Sequence, residues 1–272
     1  MRFGHPVYNF SNAEEWAARH KEDALTAAYW TLGEDANDDE ISAYAEAARK
    51  NDIVIAEVGA WSNIISENED ERKYAIDYNI KRLKTADRIG ARCCVNIAGT
   101  KAQKWDGYDK ANYSAKTIAE IASTLQFIID SAEPANTFYT IELMPWAIPD
   151  SAESYLELIE KVGRKAFAVH LDPVNIINSP RKYTFNTEFL DSIFDKLGPH
   201  IKSAHAKDVI MNDTFVTHIS ETIPGGGTLD YATYLARMNA LEGDIPLMLE
   251  HLQTYADYKS AADYIRSFAE FN

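Results

Sequence analysis

The segments FYTIELMPW (138–146), FAVHLDPVN (167–175), IKSAHAKDV (201–209) and PLMLEHL (246–252) each read as a short apolar strand ending near a side chain that can bind a cation or move a proton. Those side chains are Glu142, Asp172, His205 and Glu250. The gaps between them are 30 (172−142), 33 (205−172) and 45 (250−205) residues, about one strand-plus-helix unit each. Parallel strands at that spacing aim all four side chains at one end of the sheet. If the sheet closes into a ring, they converge on its mouth. Three carboxylates and one imidazole form an oxygen-rich ligand set for one divalent cation, and such a site can hold the vicinal oxygens of a sugar.

Working outward, similar apolar runs recur at Arg2–His5, Leu25–Thr31, Ile53–Gly59, Ala91–Ala98, Phe138–Leu143, Ala166–Asp172, Ile201–Ala206 and Pro246–Leu252. Stretches of helical period separate them. Ser11 with Glu14, Ser66 with Glu69 and Asp150 with Glu153 read as helix starts. The stretch 67–89 carries Ile76, Ile80 and Leu83 on one face and stops at Gly90. Eight strand–helix repeats imply right-handed parallel crossovers. A doubly wound open sheet would gather its polar residues at one switch point. Here they fall at the ends of the last four strands and also early, at His5 and Glu57, which favours closure. The expectation is one α/β domain over residues 1–272, a single (β/α)8 TIM barrel, a fold that typically takes ~250 residues.

The net charge of −15 argues against nucleic acid or an anionic membrane as partner. A small neutral or locally neutralised substrate fits better, and a homo-oligomer stays open. Cys93 and Cys94 are adjacent and read as small buried residues. The start MRFGHPVYNF lacks a basic-then-apolar leader, so the expected location is cytoplasmic.

If Asp172 points inward, strand alternation turns His170 inward one layer deeper and Leu171 toward the helices. Ser203, His205 and Lys207 likewise share a face, as do Thr140, Glu142 and Met144. Burying three carboxylates together without a cation would cost several kcal/mol each, so the cluster points to a metal. Candidate substrate contacts around it are His5, Glu57, Trp61, Trp146, His170, Asn175 and Lys207, with Trp30 also following a strand. The loop IPGGGTLDY has no adjacent Arg or Lys and reads as a turn, not a phosphate cradle.

The order Glu, Asp, His, Glu in the settings IELMPW, HLDPVN, HAKD and LEHL resembles the xylose-isomerase-like TIM-barrel superfamily. In particular it looks like the sugar phosphate isomerase/epimerase group, which includes ketose 3-epimerases. VIAEVGAWSN (54–63), followed by a charged helix with ADRIGAR (86–92), is similar to that group too. The resemblance implies one divalent ion, manganese first with cobalt or magnesium as alternatives, held by Glu142, Asp172, His205 and Glu250. It also implies that Glu142 and Glu250 act as acid and base on an enediolate. Where the ketose epimerases carry a substrate-touching histidine, an arginine and a second glutamate, this chain has Asn175, Met211 and Ile148. The expected activity is a metal-dependent sugar isomerase or epimerase. The alternative is a lyase, a dehydratase or deglycosidase, acting on a keto-sugar or oxidised glycoside.

Overall fold

The computed structural model describes residues 1–271. Eight strands line the barrel: β1 (Arg2–Gly4), β2 (Ala27–Tyr29), β3 (Val54–Gly59), β4 (Cys93–Asn96), β5 (Phe138–Glu142), β6 (Phe167–Leu171), β7 (Ile201–Ala206) and β10 (Pro246–Leu249). All neighbouring pairs run parallel, in the order β1-β10-β7-β6-β5-β4-β3-β2. The seam between β1 and β2 is closed by the Thr26 amide, which donates to the Phe3 carbonyl at 2.9 Å. Gly4 permits that approach, since a Cβ there would lie 2.2 Å from the Ala27 carbonyl oxygen. The protein is a single (β/α)8 TIM barrel, as the strand spacing predicts.

Helices cover the ring: α1 (Ala13–Glu22), α2 (Asp38–Lys50), α3 (Glu69–Ile89), α4 (Ala115–Ala132), α5 (Ala152–Val162), α6 (Pro180–Thr184), α7 (Asn186–Leu197), α8 (Tyr231–Asn239) and α9 (Tyr255–Arg266). The strands are buried on both faces, so they read as near-continuous apolar runs: all five residues of β6 are buried. Three expected helix starts shift. The caps are Asn12, Asn68 and Ser151, each accepting from an amide inside the first turn, while Ser66 instead donates to Glu71. On α3 the buried face is Ala75, Asn79, Arg82, Leu83 and Ala86, with Ile76 and Ile80 at its margins. Polar side chains win that face because they serve distant carbonyls: Arg82 donates to those of Gly59, at the end of β3, and Leu32, both at 2.9 Å.

A second departure follows β7. The chain forms an antiparallel hairpin, β8 (Asp208–Met211) with β9 (Ile219–Thr222), before the IPGGGTLDY loop. That loop wraps the Asp208 carboxylate, which accepts from the amides of Val209, Gly225, Gly227 and Leu229. It is thus a turn built on a buried anion.

His20 lies in the packing between α1 and the barrel, donating from Nδ1 to the Trp16 carbonyl at 2.8 Å. Burial holds its imidazole down at about 4. The unfolded chain takes a proton near pH 6.5 and the folded one does not, so stability is full above ~6.5 and falls as pH drops toward ~4. Urea denaturation at pH 7 and pH 4.5 is expected to show His20→Gln losing about 2–3 kcal/mol less than wild type across that interval. Equal losses would assign the acid sensitivity to other groups.

Candidate metal centre

Register in the sheet brings the four candidate ligands together. Glu142, the last residue of β5, pairs with His170; His170 pairs with Ser203; Met248 pairs with His205. Asp172 and Glu250 each lie one residue past a strand, at the same end of the ring. The outer helices fix these strand ends through buried tyrosines. The Tyr155 hydroxyl lies 2.6 and 2.8 Å from the carbonyl oxygens of Ile141 and Ala168, either of which can take its one proton, and so bridges β5 and β6. Tyr234 and Tyr231 donate to the carbonyls of His205 and Lys207, each at 2.8 Å. Tyr234→Phe removes one such bond in a buried setting and is expected to cost about 1–2 kcal/mol in the urea midpoint analysis. An unchanged midpoint would show that the hydroxyl does not hold β7.

One donor atom from each of Glu142, Asp172, His205 and Glu250 lies within 4.8 Å of the others. Opposite ligands of a small divalent ion stand about 4–4.5 Å apart, so this spacing suits one ion. His205 Nδ1 is 3.2 Å from Glu142 Oε1, 2.8 Å from Glu250 Oε1 and 3.7 Å from Asp172 Oδ2. Asp172 Oδ1 accepts from the amides of Val174 and Asn175 at 3.0 and 3.2 Å, which turns Oδ2 toward the cluster. Lys207 Nζ stands 2.8 Å from Asp172 Oδ2 and 2.5 Å from Glu250 Oε1. Neither oxygen accepts a well-directed hydrogen bond, although both are buried. Two such oxygens beside a carboxylate and an imidazole fit a cation as their common partner.

The charges are strongly coupled. Burial lifts the Glu142 carboxyl to about 7, with Glu250 adding to the rise. Burial also opposes ionisation of Glu250, but His205 and Lys207 outweigh it and hold that carboxyl at about 2. Asp172 is driven well below the usual range, because Lys207 and His205 overcome its burial. His205 is raised well above an ordinary imidazole: burial works against protonation, and the carboxylates, Glu250 first, prevail. Without an ion the site therefore holds its own cations; with one, His205 must be neutral at Nδ1 to serve as a ligand.

Three expected substrate contacts sit elsewhere. Glu57 is buried below the cluster, its Oε1 3.3 Å from His205 Nε2. When His205 Nδ1 faces the carboxylates, Nε2–H donates to Glu57, which fixes tautomer and ring orientation. His170 lies one layer deeper as alternation requires, with Nδ1 2.5 Å from Ser203 Oγ and its ring 4.0 Å from that of His205, edge to face. Burial keeps it neutral. His5 is enclosed beside Tyr258, its Nδ1 2.8 Å from the Pro6 carbonyl. None of the three lines the cavity at the mouth, which measures about 570 Å³. Trp61, Trp146, Asn175 and Lys207 do line it, with Glu142 and Glu250. Asn175 Nδ2 donates to Glu142 Oε1 at 3.0 Å. Trp30 is buried away from the opening.

Sequence reasoning missed Glu221, His251, Tyr29 and Trp105. Glu221, on β9, reaches in from the hairpin: its Oε2 is 3.7 Å from Lys207 Nζ and 3.1 Å from His251 Nδ1. His251 Nε2 is 3.4 Å from Glu250 Oε2. Simple alternation would turn His251 away from Glu250, but its backbone has φ 59°, a left-handed conformation that brings it to the cavity.

Among curated proteins no sequence matches this chain. Solved structures do resemble it. A probable 3-DHS dehydratase involved in petrobactin synthesis from Bacillus anthracis superposes with a TM-score of 0.75 at 16% identity, over 100% of both chains. A D-psicose 3-epimerase with D-tagatose from Clostridium cellulolyticum H10 gives 0.72 at 13%, covering 98% of this chain and 99% of the other. A xylose isomerase-like protein from Mycobacterium smegmatis in complex with magnesium gives 0.68 at 13%, covering 95% and 88%. At these identities the likeness concerns the fold. Among the described residues no helix is long and apolar enough to cross a membrane. Residues 15–268 match a family profile that spans nearly the whole barrel, the four candidate ligands included, and on that match the chain belongs to the xylose isomerase-like TIM barrel family.

Proposed function

We propose that this protein is a divalent-metal-dependent sugar isomerase or epimerase, with Glu142 and Glu250 as acid and base. The observation that carries the reading is the convergence of two buried carboxylates, Glu142 and Asp172, the partly buried carboxylate of Glu250 and the buried His205 imidazole at the floor of an open cavity. Glu142, Asp172, His205 and Glu250 would hold the ion, manganese first. The ion supplies Lewis-acid polarisation of a sugar carbonyl and its neighbouring hydroxyl. Glu142 and Glu250 come from strands on different sides of β6 and β7, so their carboxylates can address a substrate carbon from two directions. One takes the proton α to the carbonyl and the other returns it. Asn175 steadies Glu142 through its amide, and Lys207 places an ammonium where negative charge develops on the substrate.

Lys207 also supports a second reading. An ammonium beside the base can give a proton to a β-leaving group, which would make the enzyme a lyase on a keto-sugar or oxidised glycoside. The test is a panel of keto-sugars and ketoglycosides incubated with manganese-loaded protein in D₂O. Deuterium at C3 indicates epimerisation, and deuterium at C1 or C2 indicates isomerisation. A dehydrated product or free aglycone indicates the lyase. Absence of exchange and of product across the panel would overturn both.

A further inference from the structure

The barrel interior holds a second cluster below the first, and His205 belongs to both. Glu57 on β3, His170 on β6 and His205 on β7 are all buried, and one donor atom of each lies within 4.8 Å of the other two. Two atoms of this cluster lack a protein partner. Glu57 Oε2 and His170 Nε2 are buried, and among the described residues neither has a hydrogen-bond partner. Ser203 Oγ lies 2.5 Å from His170 Nδ1, and when Nδ1–H donates to that oxygen, Nε2 carries a lone pair. A carboxylate oxygen and an imidazole lone pair enclosed together require a donor or a cation between them. Glu57 Oε1 and His205 Nε2 are 3.3 Å apart. That is long for a charge-assisted hydrogen bond, which runs about 2.7–2.9 Å. It matches the edge of a zinc tetrahedron, about 3.3 Å when the bonds are about 2.0–2.1 Å.

We propose that Glu57, His170 and His205 Nε2 form a second divalent-ion site, one for zinc, which alternates with the first through the tautomer of His205. A neutral imidazole has one nitrogen lone pair to give. With Nε2–H turned to Glu57, Nδ1 is free for an ion held with Glu142, Asp172 and Glu250. With Nδ1–H turned to Glu250 Oε1, 2.8 Å away, Nε2 is free for an ion below. In that second state the upper carboxylates keep His205 Nδ1–H and the Lys207 ammonium as partners, so an ion below strands no charge above. The donor sets separate the metals. Three oxygens and one nitrogen above suit a hard ion such as manganese. Two imidazoles and one carboxylate below are a set that binds zinc and leaves its fourth position open. The chain therefore holds one ion, above or below, and zinc excludes manganese by taking His205 from it.

The test is calorimetric titration of chelator-treated protein with zinc and with manganese, in wild type, Asp172→Asn and His170→Phe. Phenylalanine keeps a ring beside His205 and removes the nitrogen. His170→Phe is expected to weaken zinc by ~100-fold or more and to change manganese by less than about threefold, and Asp172→Asn to do the reverse. Protein saturated with one equivalent of zinc should take up no manganese. X-ray absorption at the zinc edge of wild type reads the same site if His170→Phe folds poorly. Two imidazole nitrogens around zinc are expected there, against one for an ion in the upper site. A shell with a single imidazole, a zinc affinity that falls with Asp172→Asn as manganese does, or manganese binding on top of bound zinc would overturn the proposal. So would zinc affinity unchanged in His170→Phe, the result expected if a water alone joins Glu57 to His170. These measurements use no sugar, so their outcome is independent of the isomerase/epimerase reading, which deuterium exchange tests.

Discussion

Glu250→Gln is expected to lower turnover by ~10²–10⁴-fold at saturating metal, the usual loss when a positioned acid–base group is removed. Glu250 is the right residue to ask because its two oxygens face different partners. Oε1 points to His205 and Lys207 at 2.8 and 2.5 Å, and Oε2 points to His251 at 3.4 Å. The amide keeps the shape but cannot accept a proton, and it also weakens metal binding. Rates must therefore be read on a plateau in manganese concentration. Near-wild-type turnover on that plateau would place the base elsewhere, with Lys207 next in line.

Lys207→Met is expected to destabilise the chelator-treated protein by about 3–5 kcal/mol, the cost of stranding buried charge after one partner is removed. Lys207 is buried, and its ammonium answers both Asp172 and Glu250, with Glu142 Oε1 at 4.0 Å. Methionine fills similar space without charge. A divalent ion supplies positive charge to the same carboxylates, so manganese should restore most of the loss. Urea denaturation with EDTA and with manganese measures both values. A small loss, or one that manganese leaves unchanged, would show that the carboxylates do not depend on a shared cation.

The parts of this architecture that repeat were legible before any coordinates. Each site strand is a largely buried run with a polar residue within one position of its end, and parallel pairing leaves little choice about where Glu142, Asp172, His205 and Glu250 point. What escaped depends on local backbone or on long-range polar partners. The start of α3 moved because Asn68 lies closer to the first helical amides than Ser66 does. Ile76 yielded the buried face of α3 to Asn79 and Arg82, whose partners include distant carbonyls. The hairpin did carry a signal, β-branched runs on both sides of Asn212–Asp213, though nothing local said that Glu221 would reach Lys207. His251 escaped because a positive φ reverses the alternation on which the reading relied. Glu57 looked like a substrate contact for want of a visible partner, and that partner is His205, 148 positions away in sequence.

The central claim is that Glu142, Asp172, His205 and Glu250 together hold one divalent ion. Calorimetric titration of chelator-treated protein with manganese tests it without any substrate. The account predicts saturable binding of a single ion per chain, weakened by ~100-fold or more in Asp172→Asn. Absence of saturable binding, or an undiminished affinity in that variant, would contradict it.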